Sequence, residues 1–143
     1  MESKRTWQVL LLGGASGVGK SSLSYRLARH YHINLTEIDD IQVALTKLTT
    51  PEQQPHLHFW RTNWDEFSSW SDEQHLSHFI QVSREVFQPA LESVTANHLE
   101  TNRPVILEGD FILPELVTFK VFDEQKNDGR VKALFIYEED EAQ

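Results

Sequence analysis

Residues 13 to 21, GGASGVGKS, follow the apolar run Val9, Leu10, Leu11, Leu12 and lead into a segment with helical spacing. Gly14, four intervening residues, then Gly19, Lys20 and Ser21 make the phosphate-binding P-loop pattern. Its chemistry follows from the residue types. Glycines let the backbone curl so that N–H groups point inward at a triphosphate, and the helix that follows offers its positive end. Gly14, Ala15, Ser16, Gly17, Val18, Gly19, Lys20, Ser21 and Ser22 are therefore the expected nucleotide contacts, with Lys20 on the β- and γ-phosphates and the Ser21 hydroxyl on Mg²⁺. A turn that only joined a strand to a helix would not require Lys and Ser after its last glycine.

The rest of the chain alternates in the way such a turn demands. Trp7 to Leu12 is a first strand, apolar almost throughout, as expected of a central strand in a covered parallel sheet. A helix from Lys20 carries Leu23, Leu27 and Ala28 on one face and ends near His30 to His32. A strand over Ile33 to Ile38 leads to Asp39 and Asp40, and a helix from Ile41 carries Leu45 and Leu48. Residues 49–71, with Pro51, Pro55 and the tryptophans 60, 64 and 70, are expected to form a mobile or lid-like, partly helical insertion. Ser71 and Gln74 form a capping box opening the longest helix, in which Pro89 should make a kink or a break. Val105 to Asp110 is a buried strand with acids at its carboxyl end; Pro114 to Phe122 is expected to be helical, and Val131 to Tyr137 is the last strand before an acidic tail. This order predicts an α/β fold with a parallel sheet and the ligand site at the carboxyl ends of its strands.

Three clusters fall at that edge: the P-loop, Asp39 with Asp40, and Glu108 with Asp110. An acid ending a hydrophobic strand is how P-loop proteins support Mg²⁺, and either Glu108 or Asp110 meets that description. A carboxylate near the γ-phosphate can orient a hydroxyl acceptor and take its proton. Asp39 is the favoured base and Asp40 its alternative, since one of the two is expected to cap the following helix. Trp60 and Trp64 are candidate walls for the acceptor, although tryptophans usually belong to the core, and Arg61 is the nearest cation for an acidic substrate. His56 with His58 and His75 with His78 have no third ligand to complete a zinc pattern, so solvated histidines are expected.

Composition narrows the partners. A net charge of -9 over 143 residues disfavours a nucleic-acid partner and leaves a small molecule as the expected one. No cysteine is present, which removes disulfides and thiolate metal sites. The apolar runs are too short for a membrane span and the first residues carry no signal-peptide core, so a single cytoplasmic domain over 1–143 is the expectation. Dinucleotide binding is excluded because the glycine spacing is not G-x-G-x-x-G. GTPase function is excluded because Gln125 to Asp128 only approximates N-K-x-D and precedes a strand.

With these residues in view, the chain resembles the P-loop small-molecule kinases, a group that includes shikimate, gluconate and adenylate kinases, chloramphenicol phosphotransferase and the zeta toxins. The nearest resemblance is to 2-phosphoglycerate kinase-like proteins, through GGASGVGKSS, the Ile38-Asp39-Asp40 turn and VILEGDFILPEL. It covers most of residues 7–137, and the P-loop is its specific part. It implies a three-layer α/β/α P-loop NTPase fold, ATP and Mg²⁺ as cofactors, and an acid after the second strand that touches the acceptor. The family's sheet order is 2-3-1-4-5. Here only an acidic tail follows the fourth strand, so the expected order is 2-3-1-4 with the fifth strand, the arginine-bearing lid and the adenine-binding segment missing, in either a fragment or a trimmed fold. An open sheet edge of this kind would favour a homo-oligomer. The expected function is phosphoryl transfer to a hydroxyl of a metabolite or antibiotic, or of a sugar nucleotide as in a toxin-like kinase; the alternative is a nucleotide-binding regulatory or assembly module.

Overall fold

β1 (Val9–Gly14) has a neighbour on each side, which is why its residues are apolar at every position up to the glycines. A computed structural model of the chain describes residues 4–139, so the end of the acidic tail lies outside the described residues. β1 runs parallel to β3 (Val105–Glu108), with Val9 opposite Val105 and Leu12 opposite Glu108. On its other side it runs parallel to β6 (Val131–Ile136), from Val9 opposite Val131 to Gly14 opposite Ile136. β2 (Asn34–Glu37) completes the sheet outside β3, ending with Glu37 opposite Glu108. The order is β2-β3-β1-β6, all parallel, which is the expected 2-3-1-4 when only the strands of this sheet are counted.

Alternation along the strands divides the core in two. Leu10, Leu12 and Ile106 face α1 (Lys20–Tyr31), packing with Leu23, Leu27 and Ala28. Val9, Leu11, Val105 and Leu107 face the other way, into a larger cluster with Ile38, Leu57, Phe87, Leu91, Leu116 and Phe122. Each such side chain taken fully out of water contributes about 1.5–3 kcal/mol. Helices therefore lie on both faces of the sheet, giving the three expected layers.

α2 (Ile38–Leu48) begins at Ile38 and not at Ile41, which places Asp39 and Asp40 inside its first turn. The cap position falls to Glu37, and neither aspartate makes a cap hydrogen bond, contrary to the expectation for one of them. Ile38 is fully buried and lies so near the turn after β3 that a Cβ on Gly109 would come within 2.5 Å of its own Cβ. That contact sets the start, and hence the phase, of α2.

The insertion is α3 (Pro55–Thr62) and α4 (Trp64–Ser68), pinned to the core by buried Leu57. α5 (Asp72–Val82) opens with the expected capping box, both of whose hydrogen bonds form. The run expected as the longest helix is interrupted just ahead of Pro89, in keeping with the expected kink or break. A π-helical turn over Ser83–Phe87 joins α5 to α6 (Gln88–Glu100), and Pro89 sits in the first turn of α6, where a missing N–H costs least. The helix expected from Pro114 to Phe122 is instead a 3-10 turn, Pro114–Thr118, followed by a small hairpin of β4 (Val121–Phe122) and β5 (Gln125–Lys126). Asp123 turns the hairpin at a φ of 47°, and the Asn127 side-chain amide donates to the carbonyls of Val117 and Phe119. Among the described residues no helix is long and apolar enough to cross a membrane.

Candidate functional site

The P-loop turn is shaped by its packing against β6. A Cβ on Gly14 would lie 2.2 Å from the carbonyl oxygen of Ile136, so this position accepts glycine alone. Gly19 precedes the helix in a left-handed conformation, φ 95°, and α1 starts at Lys20. The first N–H groups of α1 have no acceptor within the helix and face the turn, the arrangement that favours an anion.

Beside this turn is a cavity of about 360 Å³ lined by Ser16, Gly17, Gly19, Lys20, Ser21, Ser22, Asp39, Glu108 and Asp110. All three clusters expected at the sheet edge thus contribute to one space. Lys20 is only 5% exposed; its Nζ donates to the Ala15 carbonyl at 2.5 Å and lies 2.6 Å from Asp110 Oδ1. The Ser16 hydroxyl donates to the other Asp110 oxygen. Asp110 therefore ties the middle of the P-loop to the lysine at its end.

Glu108 is 7% exposed, and burial pushes its carboxyl above the ordinary value. Lys20 opposes that rise, whereas Glu37, Asp39 and Asp110 reinforce it. Among the described residues no three Asp, Glu or His side chains converge as a metal cage. Ser21, Glu108 and Asp110 line the cavity and offer the hydroxyl and carboxylate oxygens with which Mg²⁺ is usually held beside substrate phosphates.

Asp39 lines the cavity and Asp40 does not. Gly14, Ala15 and Val18 also stay out of the lining, although the Ala15 carbonyl accepts from Lys20. Glu37 was not among the expected site residues, yet it ends β2 directly opposite Glu108 and accepts a hydrogen bond from the Tyr25 hydroxyl at 2.8 Å. The signal that could have found it is its position as the last residue of a strand, level with the acid on the neighbouring strand.

Trp60, Arg61 and Trp64 stand apart from this space. The Arg61 guanidinium lies 4.7 Å from the Trp60 ring centroid, and Arg61 and Trp64 line a separate surface hollow with Asp65 and Glu66. Neither Trp60 nor Trp64 is a core residue, at 38% and 57% exposed. Two of the histidines, His58 and His78, depart from the solvated state expected of them. His58 is buried and its Nε2 lies 3.0 Å from the Thr49 hydroxyl, while His78 packs 5.3 Å from Trp70, ring centroid to centroid. Burial lowers the pKa of His78, so its ring is neutral near pH 7.

A strand, a glycine turn and a Lys-Ser helix start, facing acids at the ends of two neighbouring strands of a 2-3-1-4 parallel sheet, define the P-loop kinase arrangement. Comparison with curated proteins agrees: the chain is related, at the level of family, to kinases of this kind. It is 30% identical over 119 residues to the 2-phosphoglycerate kinase of Methanococcus maripaludis strain C6 and 29% identical over 119 residues to that of strain C5. It is also 29% identical over 122 residues to the 2-phosphoglycerate kinase of Methanococcus vannielii. Each match takes in 76% of this chain and 37% of the relative, so the chain spans little more than a third of the length of the curated relatives it matches. No protein-family model matches the chain, and no solved structure matches it.

Proposed function

We propose that this chain carries the nucleotide-binding and phosphoryl-transfer centre of an ATP- and Mg²⁺-dependent kinase whose acceptor is a hydroxyl of a small molecule. The observation that carries the reading is the meeting of Lys20, Asp110, Glu108 and Asp39 in one cavity at the start of α1. The amides of the turn and Lys20 would hold the phosphates. Ser21, with Glu108 or Asp110, would hold Mg²⁺, which when bound neutralises charge on the phosphates. Asp39 is the one acid of α2 in the cavity, and it would orient the acceptor hydroxyl and accept its proton as the oxygen bonds to the γ-phosphorus and ADP leaves. Asp40, on the same turn but outside the cavity, is not given that role.

The relatives named 2-phosphoglycerate kinase support the transferase reading. The test is ATP binding and phosphoryl transfer by the chain and its Asp39→Asn variant. Bound ATP with transfer lost in Asp39→Asn is the expected result. No ATP binding by the unaltered chain would overturn the proposal.

A further inference from the structure

A second cavity, about 380 Å³, differs from the first in chemistry, and some of its lining residues are close chain neighbours of residues lining the first. It lies between α2, α3 and α5, and its walls include Trp60, Phe67, His78, Phe79 and Phe111. Two pieces of chain link the two spaces. Asp39 lines the P-loop cavity and Gln42, three residues on and on the same face of α2, lines the aromatic one. Asp110 lines the first and the next residue, Phe111, lines the second. Asp39 and Asp110 thus stand within a helical turn and one residue, respectively, of the aromatic lining.

The lining is built as a stack. Phe111 lies between Phe79 and Phe87, at centroid separations of 5.0 Å and 4.0 Å and nearly parallel to both, and His75 meets Phe67 edge-on at 4.5 Å. These are the separations at which aromatic groups attract one another. The cavity falls within the size range of small-molecule sites, roughly 300–1,000 Å³. It has no lysine or arginine in its walls. The Arg61 guanidinium lies over Trp60 and lines a different hollow. His78 belongs to the lining, is held neutral by burial, and has its Nε2 buried without a hydrogen-bond partner. A phosphate or carboxylate placed here would lose its water and find no lysine or arginine, only the imidazoles of His56, His75 and His78, while the acids of the P-loop cavity would repel it.

We infer that this cavity is the acceptor seat and that it takes an uncharged alcohol bearing an aromatic ring, with the hydroxyl directed toward Asp39. The inference rests on the kinase reading above and departs from the acceptor named for the relatives. Contact with the rings of Trp60, Phe67 and Phe79 would supply the affinity. The unpartnered His78 nitrogen offers one hydrogen bond to a polar substituent of the ring.

The test uses 2-phenylethanol and 2-phosphoglycerate as probes, with binding followed by saturation-transfer NMR and transfer followed by ADP release in the presence of Mg²⁺ and ATP. Binding of 2-phenylethanol is expected, and it should weaken at least about tenfold in Leu76→Glu, which puts a charge at the mouth of the apolar cavity. Leu76 is 58% exposed, so that variant should fold normally and keep its ATP affinity. Trp60→Ala, which removes one wall, should weaken the same binding. Binding that neither variant changes would overturn the inference, as would binding of 2-phosphoglycerate in preference to 2-phenylethanol, or binding of neither probe. If 2-phenylethanol binds as described while ATP does not, the seat stands and the kinase reading falls.

Discussion

Lys20 and Asp110 are joined at 2.6 Å across the mouth of the P-loop, and Asp110 also accepts from Ser16. The lysine is nearly buried and its partner is 29% exposed, so the pair is shielded but not sealed from solvent. Replacing Asp110 by Ala should leave the ammonium with the Ala15 carbonyl alone. Stability should fall by about 1–2 kcal/mol, read by urea unfolding. An unchanged unfolding midpoint would mean that the pair contributes nothing to the fold.

Asp39 and Asp40 are adjacent in sequence but only Asp39 reaches the cavity. Asp39→Asn should lower turnover by roughly 10²–10⁴-fold while ATP affinity stays within about twofold. Asp40→Asn should leave both unchanged, and Lys20→Ala should remove ATP binding. Equal losses in the two aspartate variants, measured by steady-state kinetics, would defeat the assignment of the base.

Burial raises the pKa of Glu108, so the folded chain holds that proton more tightly than the unfolded chain does. Its contribution to stability is therefore full below the ordinary glutamate value of 4.5 and is lost as the pH rises through the higher folded value. Glu108→Gln should remove that loss. The variant should gain on the unaltered chain in thermal unfolding as the pH moves from mildly acidic to neutral, and a constant difference across the range would contradict the shift.

A Cβ added to Gly109 would lie 2.5 Å from the Ile38 Cβ, closer than side chains tolerate. Gly109→Ala should push α2 away from the end of β3 and cost about 1–3 kcal/mol. Because Asp39 follows Ile38 directly, the same variant should lower turnover more than it lowers ATP affinity. Calorimetry and kinetics on one preparation would separate the two effects.

Ser71 accepts from the Gln74 amide and Gln74 returns a bond to the Ser71 backbone. Ser71→Ala should cost about 0.5–2 kcal/mol in denaturant unfolding without altering ATP binding.

The features that were legible early are those whose cause is local. The P-loop could be located from spacing because Gly14, Gly19 and Lys20 meet their requirements within a few residues of one another. The buried strands were visible as apolar runs, and Ser71 with Gln74 as a cap, for the same reason. Less was visible from Pro114 onward, where the 3-10 turn and hairpin depend on the Asn127 side chain reaching back to Val117 and Phe119. Glu37 was not singled out because its place opposite Glu108 is a matter of register, and strand register has no local mark. His58 and His78 were expected in water because nothing in their immediate neighbours announces the Thr49 hydroxyl or the Trp70 ring that cover them.

Chain chemistry alone, then, sufficed for a phosphate-binding turn on an α/β sheet with acids at the strand ends, since backbone freedom at glycine and the polarity of a helix start act over a few residues. It could not fix which of Asp39 and Asp40 reaches the cavity. That follows from where α2 begins, at Ile38, which packs against Gly109 just past the end of β3. Nor could it assemble the aromatic cavity, whose walls come from segments as far apart as Gln42 and Phe111. Contacts between distant segments are set only when the layers close on one another, and it is those contacts that placed an apolar seat beside the phosphate site.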